Sequence, residues 1–256
     1  MIDFTTSQQY TLSIRLSSDG FSFSIYNPLH ETSLSIIERE VDRSLSVTAN
    51  LKQAFRECDF LQHPYKKVNV MIANKRFTIV PLDFFEDEQA EILFYHNHSH
   101  KDYETVRYNI LKGSNTVVLF GIDKSIISFI NQYYPDAIFC SQASPLIEYF
   151  SSKSKLGNSK KMYALLQNQS ICLYCFEKGH LILANSFDCS HTEDRLYHIL
   201  YAWKQLNYDQ ERDELHLTGE LADKTILTKE LRKYILQVFI MNPESNIDIQ
   251  ALILCE

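Results

Sequence analysis

The strongest constraint on this chain is a pattern that occurs twice. Residues 10–16 and 21–27 alternate apolar and polar side chains around the turn Ser17-Ser18-Asp19-Gly20, and residues 32–41 extend the run after a second turn. About 150 residues further on, residues 162–166, 171–176 and 180–187 repeat it, with turns at Gln167-Asn168-Gln169-Ser170 and Glu177-Lys178-Gly179. In the first copy Leu12, Ile14 and Leu16 share one face with Ser13 and Arg15 opposite, and Phe21, Phe23 and Ile25 alternate with Ser22 and Ser24. A period of two bounded by turn residues reads as half-buried antiparallel strands. An amphipathic helix follows each meander: residues 46–60 carry Val47, Leu51, Ala54, Phe55 and Cys58 at helical spacing, and residues 192–206 carry Leu196, Leu200 and Trp203. A duplicated meander-plus-helix predicts two similar lobes with a cleft between them.

The remaining segments predict α/β layers with a mixed sheet in each lobe. Strands are expected at residues 67–73 and 76–80, joined by a short turn at Asn74-Lys75, then a helix over 83–94 capped by Asp83 and a polar loop over 96–102. The continuous apolar run at 116–120 suits a strand buried on both faces. With the Asp123-capped helix that ends before Pro135, and a short strand at 137–140, it predicts a parallel crossover unit. Ser144-Pro145 opens another helix. The polar stretch 151–161 reads as a linker, placing the lobes at 1–155 and 156–256. Beyond the second meander, Thr192 offers a hydroxyl cap, with Arg195 standing where a capping-box acid would sit. A strand at 214–218 ends in Gly219, a helix spans 225–237, and 248–254 is either strand or helix.

Composition removes several functions. A net charge of -7 opposes binding to nucleic acid, which needs clustered Lys and Arg. The six glycines form no cluster, so there is neither a P-loop nor a dinucleotide fingerprint. The N-terminus lacks the charged-then-apolar order of a secretory signal, and no run of 18 apolar residues spans a membrane. The six cysteines are then expected to be reduced thiols in a cytoplasmic protein.

Two copies of a three-stranded meander followed by helix, strand and helix resemble the layout of the actin-like ATPase superfamily, a duplicated ribonuclease H-like fold. Over nearly its full length the chain resembles a bacterial family of uncharacterised proteins with that fold. The resemblance implies a nucleotide between the lobes. In active members each lobe's first hairpin turn supplies an acid and a glycine, roughly Asp-x-Gly. The turn's backbone N–H groups then hold phosphate oxygens while the acid positions Mg²⁺ or water. Laid onto this chain, the first turn gives Ser18, Asp19 and Gly20: the glycine matches, Ser18 takes the acid's place and Asp19 comes one position late. A one-residue shift at a strand end turns a side chain to the other face. The second turn gives Asn168 and Gln169 after Gln167, with neither acid nor glycine. The superfamily's nucleoside signature, a strand running into Gly-Gly, is met by Thr218 and Gly219, with Glu220 in place of the second glycine.

Other constellations are weak. His96, His98 and His100 have the alternation of a metal site, but they lie in a polar stretch read as a solvated loop. Cys172 and Cys175 have redox-pair spacing inside a strand, where residues three apart face opposite ways. Cys140 with distant histidines is not oriented as a dyad, and no Gly-x-Ser-x-Gly elbow occurs. The acids at 83, 86, 87, 88 and 91 read as a solvated helix face, and Tyr197 and Tyr201 as an aromatic ridge that packs internally or meets a partner.

The expectation is a non-catalytic actin-like protein with a protein-binding or scaffold role, no cofactor, and an unknown protein partner. The alternative is a nucleotide-binding protein or weak ATPase that takes ATP with Mg through Gly20, Thr218 and Gly219. A small-molecule enzyme using the cleft for unrelated chemistry stands third.

Overall fold

A computed structural model of the chain describes residues 4–27, 34–219, 221–241 and 246–254. The contacts divide it into two compact units, Met1–Ile110 with Val117–Ser144, and Leu111–Thr116 with Pro145–Glu256.

In the first unit β1 (Thr11–Ser17), β2 (Gly20–Tyr26) and β3 (Leu34–Glu40) form the antiparallel meander, with Ile14 opposite Phe23 and Phe23 opposite Ile37. On β1 and β2 both faces are buried, not one: Ser13, Ser22 and Ser24 are buried along with Leu12, Ile14, Phe21 and Phe23. The Ser46 hydroxyl caps α1 (Val47–Glu57) by accepting from the Ala49 N–H at 3.1 Å. The chain then returns as β4 (Lys67–Ala73), parallel to β1 with Ile14 beside Val70.

An insertion follows, made of β5 (Phe77–Pro81), α2 (Ala90–Asn97), β6 (Glu104–Leu111) and β7 (Thr116–Asp123). Its sheet has the order β5-β7-β6. So β4 and β5 do not form a hairpin. The Asn74 side chain accepts from the Arg76 N–H at 3.0 Å and donates to the Gly121 carbonyl at 3.0 Å, re-aiming the chain into a separate sheet. The expected helix over 83–94 is two 3-10 turns, Leu82–Phe84 and Asp87–Gln89, before α2 begins at Ala90, so Asp83 lies inside the first turn and is not the cap of α2. Strand β7 is buried on both faces as expected, but because it is the centre of the inserted sheet: Val117 and Leu119 pack with Val80, Ala90 and Phe94.

The main sheet resumes after α3 (Lys124–Tyr133), capped by Asp123 through the Ser125 N–H at 2.7 Å. Strand β8 (Ile138–Ser141) lies parallel to β4 and completes the order β3-β2-β1-β4-β8. The expected β7–β8 crossover therefore does not exist, because the two strands belong to different sheets.

Helix α4 (Ala143–Ser154) takes in the first four residues of the polar stretch read as a linker. In the second unit β9 (Lys161–Gln167), β10 (Ser170–Glu177) and β11 (His180–Asp188) repeat the meander. Then come α5 (Thr192–Gln205), β12 (Glu214–Thr218), α6 (Lys224–Leu231), β13 (Gln237–Ile240) and α7 (Ile247–Leu254). The order β11-β10-β9-β12-β13 is that of the first sheet, with β12 parallel to β9 and β13 parallel to β12. One face of this sheet, through Met162, Ala164, Leu166, Leu215 and Leu217, packs on Ile199 and Trp203 of α5 and Leu227 and Leu231 of α6. The cap of α5 lies one residue earlier than expected: the Asp194 carboxylate accepts from the His191 N–H at 3.0 Å, so Asp194 supplies the acid and Thr192 is not the cap. Residues 225–237 contain α6, a turn and the start of β13, and 248–254 is helical.

Candidate functional site

In open sheets with parallel strands, ligands are held beyond the strands' carboxyl ends. In the first unit those ends are Ser17 of β1, Ala73 of β4 and Ser141 of β8. The β1–β2 turn closes on itself, the Asp19 N–H donating to Ser17 Oγ at 3.1 Å. The Asp19 carboxylate projects into solvent, 3.9 Å from the exposed Arg43. Gly20 pairs with Glu40 of β3, and a Cβ there would lie 3.2 Å from the Arg39 carbonyl. The neighbouring strand thus accounts for this glycine. Ser141 and Gln142 are buried, and the Ser141 N–H donates to the Asn109 side chain at 3.0 Å.

In the second unit the ends are Gln167 of β9, Thr218 of β12 and Ile240 of β13. The turn after β9 is tied to α5 by Arg195, which is only 2% exposed. Its Nη2 donates to the carbonyls of Gln167 at 2.8 Å, Asn168 at 2.6 Å and Cys189 at 3.2 Å, and its Nη1 to that of His191 at 3.0 Å. The Gln169 carbonyl accepts from the Cys189 N–H at 3.1 Å. A buried guanidinium needs such acceptors because no water can replace them. Beside this turn Gly219 has a φ of +91°, and a Cβ there would overlap the Leu166 backbone carbonyl. Its own carbonyl accepts from the buried Lys224 Nζ at 2.7 Å. The Thr218 hydroxyl is fully buried and has no hydrogen-bond partner among the described residues. So Asn168 and Gln169 lie at the same sheet end as Thr218 and Gly219, while Glu220 falls outside the described residues.

The family model for a protein of unknown function, DUF3822, matches residues 1–238. The chain belongs to that family. This DUF3822 chain is 66% identical, over 100% of both chains and with a TM-score of 0.97, to a Bacteroides thetaiotaomicron protein with actin-like ATPase fold and unknown function. It is also similar to a chain of the PilM-PilN type IV pilus biogenesis complex, at 10% identity and a TM-score of 0.58, over 91% of this chain and 88% of that one. A third likeness, at 10% identity and a TM-score of 0.51, is to the ethanolamine utilization protein EutJ from Carboxydothermus hydrogenoformans, over 94% and 88% of the two chains. No curated protein matches its sequence. The fold is therefore the actin-like ATPase fold, as the repeated meander implied.

Elsewhere in the DUF3822 chain, the other sequence candidates do not converge. His98 Nε2 donates to the Phe77 carbonyl at 3.1 Å and packs on the Phe94 ring, and its burial lowers its pKa. His96 is in the last turn of α2, and His100 lies against Tyr95 and 3.5 Å from Asp102. Among the described residues no three His, Cys, Asp or Glu side chains are placed to hold a metal. Cys175 is in the core, its thiol pushed up to about 12 by burial, while Cys172 reaches Ser186 on the opposite face. Tyr197 and Tyr201 stack at 5.6 Å and are exposed. No helix among the described residues is long and apolar enough to cross a membrane.

Sequence reasoning missed Arg195 and Lys224, both buried cations bonded to the candidate loops. It also missed a polar group at the amino ends of β9 and β12. There Glu214 accepts from Ser159 at 2.6 Å, meets His216 Nε2 at 2.9 Å and lies 3.4 Å from Lys161 Nζ. Burial pushes the Glu214 carboxyl up, but its hydrogen bonds with Ser159 and His216 and the Lys161 charge outweigh it, leaving the pKa lowered. Burial lowers the His216 pKa against the pull of Glu214. A periodic feature was available for Arg195: it shares a helix face with the buried Ile199 and Ala202.

Proposed function

We propose that this protein is a non-catalytic actin-like protein that acts by binding another macromolecule. The observation carrying this reading is chemical: in the two five-stranded sheets no described residue at the carboxyl end of a parallel strand, Ser17, Ala73, Ser141, Gln167, Thr218 or Ile240, is a carboxylate. Phosphoryl transfer to water needs an acid there to position Mg²⁺ or the nucleophile. Asp19 stands beyond its strand end, in solvent beside Arg43. The second turn spends its carbonyls on Arg195 and carries side chains at Asn168 and Gln169 where the superfamily has glycine. A binding role also agrees with the exposed Phe84, Ile92, Tyr197 and Tyr201, and with a fold relative that is part of a pilus biogenesis complex.

The alternative, nucleotide held by Gly20, Thr218 and Gly219 with Mg²⁺, is decided by thermal unfolding with and without Mg-ATP. A ligand at 100 times its dissociation constant adds about 2.7 kcal/mol, which raises Tm by roughly 5–10 °C for a chain of this size. The proposal expects an unchanged Tm. A rise of that order with Mg-ATP overturns it in favour of the alternative.

A further inference from the structure

Strand β13 closes one end of the second sheet, and its counterpart β8 closes the same end of the first. The two edges are finished differently. On β8 the outward groups are occupied: the Asn109 side chain donates to the Phe139 carbonyl at 3.1 Å and accepts from the Ser141 N–H at 3.0 Å, imitating a strand partner. On β13, the Met241 N–H donates to Leu217 at 2.9 Å, so the alternate residues Val238 and Ile240 turn their backbone groups outward. Arg232 donates to the Val238 carbonyl at 3.3 Å, which leaves that oxygen a second lone pair. The Val238 N–H and both groups of Ile240 meet no partner among the described residues.

The side chains of this edge are apolar on both faces. Phe239 and Ile240 are each 43% exposed, and Leu236 is 67% exposed. Unpaired edges usually carry charge or proline, whereas β13 reads Gln-Val-Phe-Ile. Phe239 also ends a row of rings that crosses the sheet. Phe150 stacks on Tyr163 at 4.3 Å, Tyr163 on His216 at 4.9 Å, and His216 on Phe239 at 5.2 Å. Tyr163, His216 and Phe239 are directly paired residues on β9, β12 and β13, so the row advances one ring per strand. The next ring belongs on a strand added beside β13.

We propose that β13 pairs antiparallel with β13 of a second copy of this chain, about a two-fold axis at Phe239. That register exchanges hydrogen bonds between Val238 and the partner's Ile240, and between Ile240 and the partner's Val238. It sets Phe239 against the partner's Phe239 in a non-hydrogen-bonded pair, the closer of the two antiparallel spacings. A second copy supplies the missing ring, the matching outward groups and the apolar cover through one isologous contact. Arg232 stays on the spare lone pair of Val238. The pairing is independent of the nucleotide-site reading above, and its failure would leave that reading untouched.

Sedimentation velocity of the full chain across micromolar concentrations is expected to show a monomer–dimer equilibrium. Phe239→Asp sets two carboxylates face to face and is expected to weaken it about tenfold or more, with unchanged far-UV circular dichroism. Phe239→Cys is expected to form a disulfide-linked dimer on mild oxidation. Tyr197→Cys, at a more exposed position on α5, should not. A wild-type chain that stays monomeric throughout overturns the pairing. So does a dimer in which Phe239→Cys crosslinks no better than Tyr197→Cys, including one that joins through another surface.

Discussion

At Gly219 the backbone takes a φ of +91° and lies so close to Leu166 that no Cβ fits. The left-handed conformation alone costs a non-glycine residue roughly 1–2 kcal/mol, and the overlap is with backbone, which cannot swing aside. Gly219→Ala should therefore lower stability by about 2 kcal/mol or more in urea unfolding; a loss under half of that would mean the loop relaxes. His216 makes a different kind of prediction. Burial lowers its folded pKa beneath that of the unfolded chain, so in mild acid the unfolded state binds the proton first. His98 acts in the same direction, as does Glu214, whose folded carboxyl is lowered. Stability should then be full near neutrality and fall as pH drops below about 6.5. His216→Phe should flatten the upper part of that decline in melts taken across the range. A Tm that rises on acidification would contradict the assignment.

Among the elements, the β9–β10 turn and α5 behave as one piece because Arg195 joins them. Arg195→Met would leave the Gln167 and Asn168 carbonyls without their charged donor. A hydrogen bond to a charged group contributes about 1.5–3 kcal/mol, so a loss near 3 kcal/mol is expected, with faster amide exchange concentrated at residues 167–170 and the start of α5. Uniform acceleration across the second unit would point to general core damage instead. The β8 edge gives a related test. Asn109→Ala removes both plugs from Phe139 and Ser141, and light scattering on heating should then show earlier aggregation than Asn109→Asp, which keeps the acceptor for Ser141. Equal onset for the two variants would show that the plug does not guard this edge. These devices were poorly legible in sequence. Arg195 reads in the sequence only as the residue standing where a capping-box acid would sit, and β6, which carries Asn109, mixes buried, half-buried and exposed side chains without alternation. Strand β13 was hidden because Leu227, Leu231, Ile235 and Val238 keep helical spacing across the end of α6. The meanders were legible because period two and turn residues agreed over three strands each, and α3 because Asp123 both looks like and acts as its cap.

On the scale of the whole molecule, two sheets with the same strand order explain why the repeat is legible in the amino-acid pattern, and membership in an actin-like family accords with it. The inserted sheet escaped the repeat because it occurs in one copy only. The candidate site was legible as a set of missing groups, an acid in both turns and a glycine in the second; Arg195 reaches that second turn from 27 residues away and leaves no local signal, whereas Lys224 meets Gly219 from five residues on, a spacing that has no recognisable motif. The central claim is that these loops no longer grip a triphosphate. Calorimetric titration of the full chain with Mg-ATP tests it most directly: the account predicts no saturable heat, and stoichiometric binding in the micromolar range would contradict it.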